Sequence, residues 1–223
     1  MLKIFCLYYE GKYSYDYVEK LERGISKNTT IDFEFFCYKP KRKSHWHKLE
    51  FFDPTFTETL DDVIVMDIDQ VIVNNIDDML SYPIKDNELL TYSSTVSTLP
   101  INGGFYKFKG NAFTDLTDKW SKNKEYWESY YYNNGTVNIK GHGEQNFVFD
   151  NVENIVTLPD NWMVRYYNDD ALNYQMQLEY CKLYNKEFMI MDEEIDKDIK
   201  IVHFTNNNYI HKSNTSWIRK HWT

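Results

Sequence analysis

Asp67 and Asp69 stand one residue apart in VIVMDIDQVIV (residues 63–73), a run in which every other position except Gln70 is apolar. Two positions apart in an extended segment, their side chains project to the same side. Both carboxylates would then be desolvated beside a like charge, which costs several kcal/mol per ion unless something positive lies between them. A hard divalent cation, Mn²⁺ or Mg²⁺, meets that demand through carboxylate oxygens. His203 ends the apolar run IKIVHF (residues 199–204), and its neutral imidazole would complete such a site. The plainer alternative makes His203 a satisfied core residue.

Other residues are placed to work around that pair. Lys48, in HWHKLEFF beside Trp46 and Phe51, either sets a cation in a ligand cleft or faces solvent. Asn102, Gly103 and Gly104 offer an amide and an unobstructed backbone to a polar ligand, or form a plain turn before a strand. Tyr8 and Tyr9 close the first apolar run, where they either face a ligand or join the core.

The elements that must hold these groups follow from periodicity. Strands are expected at Leu2–Leu7, Ile31–Cys37, Val63–Met66, ELLTYS, GGFYKFK and Ile199–Phe204, the GGFYKFK run with the alternation of a half-buried strand. Helices are expected where Val18, Leu21 and Ile25 share a face, at His45–Phe52, in NNIDDML, near Ala112–Ser121, from Gly143 onward, and along Leu172, Met176, Tyr180 and Leu183. Strands alternating with helices predict an α/β, Rossmann-like sandwich around a mainly parallel, mixed sheet flanked by helices. Ligands in such folds sit beyond the carboxyl ends of the strands, which is where Asp67 and Asp69 fall.

The 223 residues carry a formal net charge of −9, which argues against a general nucleic-acid binder. With 8 Gly and 5 Pro and no internal repeat or low-complexity linker, residues 1–223 read as one domain. Three cysteines, Cys6, Cys37 and Cys181, without metal-ligand spacing, point to a reducing compartment. No signal-peptide pattern and no apolar stretch near the ~20 residues of a membrane span is present, so a soluble cytoplasmic protein is expected. The 17% aromatic content, with 19 Tyr, suits clefts for flat polar ligands.

Taken in order, MDIDQVIVNNIDDML resembles the metal-binding segment of GT-A glycosyltransferases of the glycogenin and galactosyltransferase-like family. HWHKLEFF resembles that family's Trp-Lys-Leu helix, INGGFYKF its Asn-Ala-Gly segment, GEQNFVF its Asp-Gln-Asp segment and IVHF its third metal ligand. The resemblance covers residues 1 to about 205 and is similar to the compact forms found in bacteria and large DNA viruses, whose missing parts are mostly acceptor-binding.

What the resemblance implies is a metal-dependent transferase taking a UDP-sugar to a glycan or other hydroxyl acceptor, in the cytoplasm or, for a viral protein, the host's. Asp67, Asp69 and His203 would bind the metal. Tyr8, Tyr9, Lys48, Ile68 and Lys212 would bind the nucleotide, and Asn102, Gly103 and Gly104 the donor sugar. Glu144 and Gln145 would be catalytic, with retention favoured over inversion; in an inverting enzyme Glu144 would be the general base. Two departures stand out: TNNNYIHK lacks the glycine of the family's Gly-x-x-Lys-Pro, leaving Lys212 nine positions after His203, and the Asp-Gln-Asp is Glu144-Gln145-Asn146. The runner-up is a haloacid-dehalogenase-like phosphatase with Asp67 as nucleophile. It would need a second acidic pair, for which MDEEID from Met191 is the nearest match. A non-catalytic sugar-binding module leaves the buried acid pair without a reason.

Overall fold

The computed structural model describes residues 1–93, 99–134, 143–166, 195–204, 209–213 and 215–223, with Leu178 and Lys182. The helix expected along Leu172–Leu183 lies outside the described residues, as do Cys181 and most of the acidic run after 190.

A six-stranded sheet forms the centre. Its strands are β1 (Leu2–Leu7), β2 (Phe33–Tyr38), β3 (Asp62–Met66), β5 (Leu89–Ser93), β6 (Ile101–Lys109) and β7 (Ile155–Thr157), in the order β2-β1-β3-β6-β5-β7. β1 is parallel to β2 and β3, and β5 is parallel to β7, while β6 runs against both its neighbours. The sheet is thus the mainly parallel, mixed one expected, with β6 as its reversed strand. A second sheet has β9 (Ile201–His203) between β4 (Gln70–Ile72), antiparallel to it, and β8 (Met163–Arg165), parallel to it.

Side-chain alternation along the strands divides the core into two layers. Ile4, Cys6, Ile64, Met66 and Phe105 point to one face, where helix α1 (Asp16–Lys27) adds Tyr17, Val18, Leu21 and Ile25 and the small sheet adds Val71, Ile72 and Val202. Phe5, Leu7, Val63, Val65, Tyr106 and Phe108 point to the other. There they meet Trp46, Leu49, Phe51 and Phe52 of a 3₁₀ helix (His45–Phe52), and Phe147 and Val148 of a later helix, Glu144–Asn151. Coverage on both faces explains why Val63–Met66 of β3 is an unbroken apolar run.

The same coverage corrects the half-buried reading of GGFYKFK: β6 is buried from Ile101 to Phe108. Lys107 is only 2% exposed. Its ammonium donates to the carbonyls of Leu80 (2.8 Å) and Tyr82 (2.7 Å) and lies 3.0 Å from the Asp62 carboxylate. Burial lowers its pKa, with Asp62 opposing. Cys6 and Cys37 are in register on β1 and β2, and both are free thiols.

Candidate active site

β3 ends at Met66 and β4 begins at Gln70, so Asp67 and Asp69 occupy the link between the two sheets. Three pairings hold that link. The Asp67 N–H donates to Gly104 O (3.0 Å), the Gln70 side-chain amide donates to the same carbonyl (2.5 Å), and the Phe204 N–H donates to Asp69 O (2.7 Å). Because β4 and β9 pair with Gln70 opposite His203, the histidine arrives beside the acids.

His203 Nε2 lies 3.2 Å from Asp69 Oδ1 and 3.6 Å from Asp67 Oδ2. One donor atom from each of these residues falls within 4.8 Å of the other two, and no other such group of three or more His, Cys, Asp or Glu exists among the described residues. An ion bonded at about 2.1–2.4 Å spans up to about twice that distance, so the set fits a divalent cation of mixed oxygen and nitrogen preference. The Tyr92 hydroxyl meets His203 Nδ1 from behind. Were a cation bound through Nε2, the ring proton would sit on Nδ1 and donate to that oxygen, the usual way an outer partner orients a ligating imidazole.

Gly104 makes room for the ring. A Cβ there would lie 2.5 Å from His203 Cε1 and 2.7 Å from Nδ1. At Gly103 it would lie 2.8 Å from both Glu144 Oε1 and the Tyr106 hydroxyl. The two glycines thus form the floor on which the acids, the imidazole and Glu144 converge.

Lys48 is buried against that floor. Its Nζ lies 2.5 Å from Asp67 Oδ1 and 3.3 Å from Glu144 Oε1, and it donates to Gly103 O at 2.9 Å. Burial alone would lower its pKa, but Asp67 and then Glu144 raise it, so it keeps its charge. For Asp67, burial and the neighbouring Asp69 charge push the pKa up against Lys48 and His203. Asp69 also suffers burial, yet His203, Lys12 and the Tyr13 hydroxyl, which donates to it at 2.6 Å, bring its pKa down.

Above these groups opens a cavity of about 220 Å³. Leu7, Tyr9 and Ile68 supply its apolar lining, and Lys12, Tyr13, His45, Lys48, Asp67 and Asp69 its polar lining. Of the adjacent tyrosines, Tyr9 faces the cavity while Tyr8 packs in the core against Tyr15. Gln145 accepts from the Gly103 N–H (2.9 Å), and Asn102 commits its side-chain oxygen to the Gly104 N–H (2.9 Å). Lys212 does not line the cavity; it is exposed, with Nζ 4.4 Å from the Tyr209 ring.

Lys12, Tyr13, His45, Gln70 and Tyr92 join the site without having been singled out from the sequence. For His45 a signal existed: in a 3₁₀ helix residues i and i+3 eclipse, so a lysine at 48 facing a ligand brings residue 45 with it. Tyr13 is one of many rings in YYEGKYSYDY and Tyr92 a lone tyrosine in ELLTYS, and neither stretch marks its tyrosine as a site residue.

By sequence, no family model and no curated protein matches the chain. Solved structures do. Over 96% of its length the chain is similar to the glycosyltransferase GlyE of Streptococcus pneumoniae TIGR4, with 13% identity and a TM-score of 0.57. It spans 57% of the GlyE chain. A glycosyltransferase involved in glycosylation of the major capsid of PBCV-1 matches over 91% of this chain and 92% of its own, at 14% identity and TM-score 0.56. The galactosyltransferase LgtC, solved with donor and acceptor sugar analogs, matches over 100% and 97%, at 8% identity and TM-score 0.60. The fold is that of the GT-A glycosyltransferases.

Proposed function

We propose that this chain is a metal-dependent glycosyltransferase that moves a sugar from a UDP-sugar to a hydroxyl of a glycan or similar acceptor. The observation that carries this reading is the convergence of Asp67, Asp69 and His203 within 4.8 Å of one another beneath a cavity, on a GT-A fold. A divalent cation held there supplies Lewis-acid stabilisation of the departing diphosphate.

The chain's own residues do the rest. Lys48 remains protonated and, next to Asp67, adds fixed positive charge where the leaving group gains negative charge. Ile68 and Tyr9 present apolar and aromatic surface to the nucleoside. Gln145, with its carbonyl anchored on Gly103, is left with its NH₂ group to face the sugar. Glu144 is 5% exposed and lies against Lys48, so its carboxylate is poorly placed to draw a proton from an acceptor. This engagement favours the retaining course over inversion with Glu144 as base. Asp67, likewise held by Lys48, is a poor phosphorus nucleophile, and most of MDEEID, the acidic run a phosphatase would draw on, lies outside the described residues.

A panel of UDP-sugars, each incubated with the protein and Mn²⁺ or Mg²⁺, tests the reading. Slow release of UDP from one donor, abolished by chelator, supports it. Hydrolysis of a generic phosphomonoester without UDP release from any donor overturns it.

A further inference from the structure

We infer that Lys12, and not Lys212, is the second lysine that grips the donor diphosphate, an inference that rests on the UDP-sugar reading above. The loop after β1 is built to deliver it. Glu10 and Tyr13 form an isolated bridge, and between them Gly11 has φ 132°, in the left-handed region that favours glycine. That turn brings both Lys12 and Tyr13 to the cavity wall. The Lys12 ammonium lies 4.6 Å from the centre of the Tyr13 ring, close enough for cation–π attraction. Tyr13 is itself fixed by its hydrogen bond to Asp69. An exposed lysine, ordinarily free to wander, is thereby tethered at the cavity beside the acid pair.

Charge balance explains why it is needed. Asp67, Asp69 and Glu144 bring three negative charges, which Lys48 and one divalent cation together neutralise. A diphosphate entering this site then finds no surplus positive charge in the floor. Among the described residues Lys12 lines the cavity and forms no ion pair within 4.0 Å, acting on Asp69 only from further off, so it is the lysine placed to meet an incoming diphosphate. Lys212, which the family pattern would nominate, sits outside the lining over Tyr209.

The test is calorimetric titration of uridine and UDP, in Mn²⁺, into the wild type and into Lys12→Met, Lys12→Arg and Lys212→Met, with melting curves as a check on folding. Lys12→Met should weaken UDP by about 10- to 100-fold, the worth of a hydrogen bond to a charged group. It should leave uridine unchanged, and Lys12→Arg should retain most of the affinity. Lys212→Met should stay within about twofold of wild type. Equal losses for UDP and uridine in Lys12→Met, no loss at all, or a comparable UDP loss in Lys212→Met each overturn the assignment. A wild type that binds no UDP removes the donor reading itself, an outcome distinct from any difference among variants.

Discussion

Gly104→Ala puts a methyl group where His203 now lies, and the expected consequence can be worked out. The new Cβ would stand 2.5 Å from His203 Cε1, so the ring must retreat by about 0.9 Å to reach the 3.4 Å of ordinary contact. It cannot swing freely, because Nδ1 meets Tyr92 behind it and the ring is 3% exposed. Metal–ligand distances tolerate only about 0.2 Å, so a displacement of this size breaks ligation through Nε2. The prediction is a loss of Mn²⁺ affinity of about 10- to 100-fold, the range seen when the support of a ligating histidine is disturbed. Stability should also fall, by about 1–3 kcal/mol, from overpacking. Calorimetry with Mn²⁺ and thermal melting read the two effects separately. A double-mutant cycle with His203→Ala sharpens the result, since removing the ring removes the two closest clashes and leaves only the milder contact with Asn102 Oδ1 at 3.2 Å, so the stability losses should be far from additive. Wild-type Mn²⁺ affinity in folded Gly104→Ala would refute the idea that His203 is a ligand in this position.

Three further outcomes are expected. Lys107→Met should lower stability by about 2–4 kcal/mol, because it leaves two buried carbonyls and part of the Asp62 charge without a partner; chemical denaturation measures this, and Mn²⁺ affinity should not follow it down. Glu144→Gln should slow transfer less than Gln145→Ala if the anomeric configuration is retained, with the reverse order expected of a general base, whose loss costs about 10²- to 10⁴-fold; NMR of the anomeric proton in fresh product decides the configuration. Because burial and Asp69 hold Asp67 above the usual carboxylate range, Mn²⁺ binding should weaken with acid at a higher pH than for a surface carboxylate. In metal-free protein the sign is opposite: with its folded pKa above the unfolded value, Asp67 binds a proton preferentially in the fold, so its contribution to stability rises as pH falls through that window. Asp69, held low, loses its contribution only further down, as pH drops through its folded pKa. Melting temperatures and Mn²⁺ titrations across pH check both signs.

The acid pair was legible because two charges inside an aliphatic run are an anomaly that demands a partner, and the strand before them fixed their place at the sheet's carboxyl edge. His203 was legible only in company with them, since the β4–β9 pairing that brings it to Asp69 leaves no local trace in the sequence. Adjacent residues on an extended chain point to opposite sides, so one of Tyr8 and Tyr9 had to leave the cavity, and nothing in the sequence said which. Lys107 misled for a related reason: its alternation with Phe105, Tyr106 and Phe108 imitates a solvent-facing position, while carbonyls of Leu80 and Tyr82 from another part of the chain accept its protons inside the sheet. Tyr13 and Tyr92 were invisible because a hydroxyl's partner is set by tertiary approach, and 19 tyrosines offer no pattern to choose among.

The central claim is that Asp67, Asp69 and His203 join a cation to a nucleoside diphosphate in one site. Calorimetric titration of UDP into the protein with and without Mn²⁺, repeated for Asp69→Asn, tests it most directly. The account predicts strong metal dependence in the wild type. It predicts loss of that dependence in a variant that still folds, since Asp69→Asn keeps the shape and removes the charge that opposes Asp67. UDP binding of equal strength with and without Mn²⁺, or unchanged metal dependence in Asp69→Asn, would contradict it.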